Sequence, residues 1–225
     1  MNLAAKNRPL AELLAKHSYL IRGEEEEPFR LASGRVSRHY FECKRTTMLA
    51  EAMPLIGEAF FSALKAGVTS VGGLTHGADP IAAAVAYFSV GAGQPINAFS
   101  VRKARKEHGT KRWVEGCVEA GETVAIVDDV ITSGQSVIKS IDRSREEGIR
   151  IAQVIVLVDR EEGGLDAIQE SAGADTRVRA LFTKREIERV REELDGGQLA
   201  PGGHRENPSG ARQAGRPNGS LHAPA

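Results

Sequence analysis

The chain has two cysteines in 225 residues, Cys43 and Cys117, too few for a disulfide framework. It also lacks any net formal charge, because 30 Lys and Arg balance 30 Asp and Glu. That balance argues against a surface coated for nucleic acid or for a membrane, although charge can still be local. No apolar run approaches the length of a membrane span. Met1 to Leu20 mixes charges into an amphipathic pattern and has no unbroken apolar stretch of the signal-peptide kind. These absences point to a reduced, cytoplasmic protein without nucleic-acid or membrane partners. What is present is enough apolar residue, 41%, to bury about one full domain.

The apolar segments alternate between two periods. Leu10 to Leu20 and Met53 to Ala66 read as helices, and Val68 to Leu74 as a strand. Helix Ile81 to Phe88, strand Ile96 to Val101, strand Val124 to Val127 and helix Ser136 to Glu147 follow. Strands Ile151 to Val158 and Val178 to Phe182 complete the pattern. Such alternation predicts an α/β fold with a mainly parallel central sheet flanked by helices. Glu24 to Glu27 reads as a solvated acidic loop. The domain is expected to end at residue 194. Beyond it, residues 195–225 are rich in Gly, Pro, Ala, Ser and Arg with only two leucines, which predicts a disordered tail.

The segment Val124 to Ser136 carries the most chemistry. Its apolar run suits a strand buried on both faces, with Asp128 and Asp129 at the carboxyl end, where open α/β sheets bind ligands. Val130, Ile131, Thr132, Ser133, Gly134, Gln135 and Ser136 then lead into a helix N-terminus, whose free N–H groups suit a phosphate dianion. Gly134 permits close approach, and the hydroxyls of Thr132, Ser133 and Ser136 can each donate. Two carboxylates facing a phosphate would repel it. They are better used on sugar hydroxyls or beside a hard cation. The plainer alternative is a strand, turn and helix with one acid as a cap.

Three other segments add to this. Gly72 to Pro80, Gly-Gly-Leu-Thr-His-Gly-Ala-Asp-Pro, places three glycines between a strand and a helix that has proline at its start. Alone, it equally suits a plain tight turn. Arg102 to Trp113 carries six Lys or Arg and one Glu directly after a strand. It reads either as a solvated basic loop or nucleic-acid patch, or as a loop that Gly109 lets move over an anion. Asp159-Arg160-Glu161-Glu162-Gly163-Gly164 ends a strand, and an arginine there either clamps a carboxylate through two N–H bonds or pairs with a neighbouring acid.

The acid pair and its loop resemble the phosphoribosyl diphosphate signature of the type I phosphoribosyltransferases. The glycine-rich form resembles one lineage of orotate phosphoribosyltransferases, and Arg102-Lys103-x-x-Lys106-x-His108-Gly109 resembles their catalytic loop. Phe29 to Phe41, with its Ser33-Gly34-x-x-Ser37 core, is similar to that family's N-terminal hood over the base. The resemblance spans about Leu10 to Leu194. It implies the type I phosphoribosyltransferase fold, with a small hood at about residues 1–45 and a mobile basic loop.

The resemblance also implies a reaction: transfer of the 5-phosphoribosyl group from phosphoribosyl diphosphate to orotate, giving orotidine 5-phosphate and diphosphate, with Mg²⁺. Asp128 and Asp129 would take the ribose hydroxyls and Val130 to Ser136 the 5-phosphate. Arg102, Lys103, Lys106 and His108 would contact the diphosphate, and Lys103, Lys106 and His108 would come at least partly from the other subunit of a homodimer. Lys106, His108 and Arg102 would stabilise the leaving group, so that these three and the acid pair form the catalytic set. Thr132 and Arg160 would bind orotate, with Tyr40 and Phe41 offering a ring face or edge, or serving as plain core. Metal would be held mainly by substrate oxygens. Two departures stand out. Ala32 and His76 occupy positions where some members have a lysine that helps hold phosphoribosyl diphosphate, and Ala32 cannot replace it. Transfer to another base would need no carboxylate clamp at Arg160. A regulatory, non-catalytic protein of this fold would show a basic surface elsewhere and a defective loop.

Overall fold

The computed structural model describes residues 7–30, 34, 36–105 and 112–197. Lys106, His108 and Ala32 therefore lie outside the described residues, as does all but the first part of the tail.

A six-stranded sheet runs in the order β10-β9-β8-β5-β6-β7. Its members are β5 (Ser70–Leu74), β6 (Asn97–Val101), β7 (Val114–Gly116), β8 (Thr123–Ile131), β9 (Arg150–Asp159) and β10 (Arg177–Thr183). All neighbours are parallel except β7, which pairs antiparallel with β6 at the edge. The apolar runs explain this arrangement, since a parallel strand covered on both faces needs no alternation. Along β8, Ala125 and Val127 face one apolar core while Val124 and Ile126 face another. The first core is closed by helices α1 (Arg8–Leu13), α3 (Met53–Phe61), α4 (Ala78–Gly91) and α7 (Lys184–Gly197). The second is closed by α5 (Gln135–Glu146) and α6 (Gly164–Ala172), through Val137, Ile141 and Ile168.

Strand order reverses between β5 and β8, because the chain leaves β5 toward β6 on one side and leaves β8 toward β9 on the other. A crevice opens at the carboxyl ends of strands at such a switch point. Small residues let it form. A Cβ on Gly73 would meet the carbonyl oxygen of Val127 at 2.2 Å, so only glycine lets β5 approach β8 this closely.

Several boundaries differ from the sequence reading. The first helix ends at Leu13, continues as a wider turn over Leu14–Ser18, and gives way to strand β1 (Tyr19–Ile21). Pairing wins over helical periodicity there, because β1 bonds antiparallel to β4 (His39–Phe41). β8 extends through Ile131, so Asp128 and Asp129 lie within the strand and not just past its end. α3 stops at Phe61, and α7 carries the folded part to Gly197, past residue 194. The edge strand β7 and the helices α6 and α7 were not expected.

The hood consists of β1 and β4, the two-residue strands β2 (Phe29–Arg30) and β3 (Val36–Ser37), and the short helix α2 (Lys44–Thr47). It is tied down by Tyr19, whose hydroxyl lies 2.6 Å from Nδ1 of His39 and donates to Glu188 of α7 at 2.8 Å. Among the described residues no helix is long and apolar enough to cross a membrane.

Candidate active site

A cleft of about 160 Å³ lies at the switch point. Its walls come from the turn after β5 (Thr75, His76, Gly77), the end of β8 (Asp128, Asp129, Val130), Ser136 of α5, Lys103 and Lys44. The Thr75–His76 peptide in this turn is cis. Next to the cleft, Val130 to Ser136 enclose a smaller cavity of about 60 Å³. Gly134 sits at φ 77° and starts α5, and among the described residues no side chain caps that helix. The backbone N–H groups of its first turn are thus left for a ligand, which is the basis of anion binding at helix N-termini.

The acids do not serve as caps. Asp128 Oδ1 accepts from the N–H of Asp129 at 3.0 Å, and Asp129 Oδ1 accepts from the N–H of Val130 at 2.9 Å. Both residues are buried, 5% and 4% exposed. Burial first, and then the charge of Asp129, pushes the Asp128 carboxyl well above its ordinary range. The pair is packed against the turn: a Cβ on Gly77 would meet Asp128 Oδ1 at 2.4 Å and Asp129 Oδ1 at 2.7 Å.

Arg160 lies beside the same loop. Its backbone N–H donates to the carbonyl of Ile131 at 3.1 Å, directly before Thr132. Its Nη2 pairs with Glu162 Oε1 at 2.9 Å, the neighbouring-acid alternative, while its buried Nε has no hydrogen-bond partner among the described residues. A buried donor left unpaired costs free energy that a ligand acceptor recovers. Of the two glycines after Glu162, Gly163 takes a positive φ of 86°, and Gly164 serves close packing, since a Cβ there would meet the Thr132 carbonyl oxygen at 2.4 Å. At the buried Cys43, burial and the charge of Asp129 push the thiol up while Lys44 and Arg160 pull it down. The acid pair and Lys44 meet at one place, with Arg160 bonded to the loop beside it.

Other expected groups are arranged differently. Arg102 does not line the cleft; its Nη1 donates to both carboxylate oxygens of Glu115 at 3.1 Å. Lys103 does line it. The root of the basic segment is held on α5 by Arg143, which donates to the carbonyls of Arg102 (2.7 Å) and Lys103 (3.2 Å) and lies 4.3 Å from the Trp113 ring centroid. His76 is largely exposed, with Nδ1 3.7 Å from Asp79. Phe41 is buried against Tyr19, ring centroids 5.0 Å apart, so the plain-core alternative describes it. Tyr40 is half-buried and stacked on Phe29 at 5.2 Å.

Lys44 was missed. It carries no local signal, because its partner Asp129 is 85 residues away. The assembled site has buried acceptors suited to hydroxyls, a cradle of N–H donors the size of a phosphate, cations at the rim and an arginine with a spare buried donor.

Known proteins share this arrangement of segments. The phosphoribosyl transferase domain family matches residues 50–172. The orotate phosphoribosyltransferase of Aquifex aeolicus is 41% identical over 169 residues, covering 75% of this chain and 91% of that protein. The crystal structure of Mycobacterium tuberculosis orotate phosphoribosyltransferase in complex with Fe(III) dicitrate has a TM-score of 0.69 at 32% identity, covering 80% of this chain and 98% of that one. A crystal structure of the same enzyme in complex with 5-phospho-alpha-D-ribosyl 1-diphosphate has a TM-score of 0.63 at 27% identity, covering 81% and 92%. The matched stretch holds the acid pair, the loop after it and Arg160, and the chain belongs to the type I phosphoribosyltransferases, in their orotate phosphoribosyltransferase branch.

Proposed function

We propose that the chain transfers the 5-phosphoribosyl group from phosphoribosyl diphosphate to a ring nitrogen of orotate, a pentosyl transfer of pyrimidine biosynthesis that releases diphosphate. The observation that carries this reading is the buried Asp128 and Asp129 pair running directly into an uncapped loop, with Arg160 bonded alongside it. The Aquifex relative supports the base, and the Mycobacterium complex supports the phosphoribosyl diphosphate.

In this reading the 5-phosphate sits on Thr132 to Ser136, and the acid pair accepts the ribose hydroxyls. Arg160 and Thr132 hold the orotate carboxylate, and the hood segment with Tyr40 covers the base. Breaking the bond to diphosphate builds positive charge on the sugar and negative charge on the leaving group, so catalysis is electrostatic and needs no side-chain nucleophile. Lys103, Lys106, His108 and Arg102 meet the diphosphate, and Arg102 must exchange Glu115 for it. Among the described residues no three His, Cys, Asp or Glu cluster to bind a metal, and Asp129 already faces Lys44. That donor set fits Mg²⁺ brought in on substrate oxygens, the usual mode for this ion. When bound, Mg²⁺ supplies charge neutralisation at the departing diphosphate.

The working unit is a homodimer in which the basic loop is shared between subunits. An apolar groove of about 780 Å³, lined by Met53, Pro54, Tyr87, Phe88 and Val90, supports a second copy on this face. Tyr87 is 88% exposed and Val90 67%. The location is cytoplasmic. The test is the magnesium-dependent ultraviolet change on mixing the protein with orotate and phosphoribosyl diphosphate, with adenine, guanine and uracil in parallel. Turnover of orotate alone is expected, and it should stop on chelation of Mg²⁺. Turnover of another base, or none, would overturn the assignment.

A further inference from the structure

The switch-point cleft contains two buried acids and must admit a substrate with several negative charges. The cations around it therefore decide whether binding is favourable. Among the described residues lining the cleft, the basic side chains are Lys103, His76 and Lys44. His76 is turned toward Asp79, and Lys103 stands on the basic segment. Lys44 comes from the opposite side, at the start of α2, three residues after the hood strand β4 ends.

Its Nζ lies 3.2 Å from Oδ2 of Asp129. The Asp129 side chain is 6% exposed and that of Lys44 49%, so the ammonium reaches a buried carboxylate while remaining open to the cleft. An ammonium carries three N–H donors, and Asp129 takes one of them. Asp129 Oδ1 is committed to the N–H of Val130. The ion pair thus governs the oxygen that is free to turn. We propose that Lys44 is a substrate-positioning residue, which orients the Asp129 carboxylate toward the ribose with one N–H and takes an anionic oxygen of phosphoribosyl diphosphate with the others.

This inference rests on the function proposed above and adds a cation from the hood to it. The pair also mechanically ties the hood to the sheet. Without the ammonium, the two adjacent carboxylates would face an anionic ligand with less opposing charge, and Asp129 would lose the contact that fixes its rotamer. The ammonium is half-exposed while its partner carboxylate is buried, so losing the pair also costs stability, and binding and unfolding are read separately.

The test uses the full chain with Lys44→Met, which keeps the stem and removes the charge, and Lys44→Arg, which keeps the charge. Steady-state kinetics are measured with each substrate varied in turn, beside calorimetric binding of Mg²⁺-phosphoribosyl diphosphate and thermal unfolding. Lys44→Met should raise the KM for phosphoribosyl diphosphate about tenfold or more, as expected for losing a charged hydrogen bond, and change that for orotate far less. Lys44→Arg should restore most of the affinity. An unchanged KM and an unchanged binding constant in Lys44→Met, with or without a lower melting temperature, would overturn the inference and leave the pair as a structural tie. If the wild type bound phosphoribosyl diphosphate but did not turn over orotate, the function would fall, and the binding comparison would still decide the role of Lys44.

Discussion

Replacing Asp128 by Asn is expected to stabilise the substrate-free protein at neutral pH while removing most of its turnover. Asp128 lies inside β8, and burial first, then the charge of Asp129, pushes its carboxyl up to about 8. A folded-state value above the unfolded one means that the group's contribution to stability is complete below the unfolded pKa, about 3.9, and is lost as pH rises toward about 8. At pH 7 each unit between the unfolded value and the solution costs about 1.4 kcal/mol, which bounds the penalty near 4 kcal/mol. Buried sites respond as if in a dielectric of about 20, so about 2 kcal/mol is the expected gain. Asn retains an oxygen to accept the N–H of Asp129, so that bond survives. For a chain of this size the gain corresponds to roughly 4–8 °C in melting temperature. Thermal unfolding of both proteins between pH 5 and 8, without substrate, reads it directly. The gap should widen as pH rises. A variant less stable than wild type at pH 8, or a gap that ignores pH, would refute the claim that the buried charge is a cost carried for function.

Three further outcomes follow from the same geometry. Gly77→Ala puts a methyl group into both carboxylates, so kcat/KM for phosphoribosyl diphosphate should fall about tenfold or more with circular dichroism unchanged; a normal value would mean the turn does not abut the pair in solution. Arg160→Lys keeps the charge but cannot form two parallel N–H bonds, and should raise the KM for orotate about tenfold while sparing that for the sugar substrate; equal effects on both would detach Arg160 from the carboxylate. Lys106→Ala should lower turnover by orders of magnitude with ordinary thermal unfolding, and unchanged turnover would remove Lys106 from the mechanism.

The parallel sheet was legible because its strands are continuous apolar runs, a pattern that needs only neighbours along the chain. The loop from Thr132 to Ser136 was legible for the same reason: strand, acids, small residues and helix start are contiguous, and the backbone itself forms the cradle. Length was misread where pairing decided it. The helical spacing of Leu10 to His17 carries the helix reading on to Leu20, but bonding to His39 to Phe41 draws Tyr19 to Ile21 into a strand. Val114 to Gly116 is too short to show a period and exists only because β6 offers an edge.

Side-chain destinations were the least legible. The resemblance to the catalytic loop assigns Arg102 to the diphosphate, and nothing in the sequence signals that without substrate its guanidinium lies on Glu115 across the β6 and β7 pair. Phe41 reads as either a ring for the base or plain core, and only its packing under Tyr19 selects the second. Lys44 was overlooked because an isolated lysine after a strand has no pattern. Sequence alone determined the layered α/β plan, the acid pair and the phosphate-sized loop, since each depends on residues adjacent in the chain. Tertiary structure alone decided that β5 and β8 part at the switch point, that Arg160 stands beside Thr132, and that Lys44 reaches Asp129. Those contacts join residues far apart in sequence, and only the folding of the hood and the sheet around two shared cores brings them within hydrogen-bond distance.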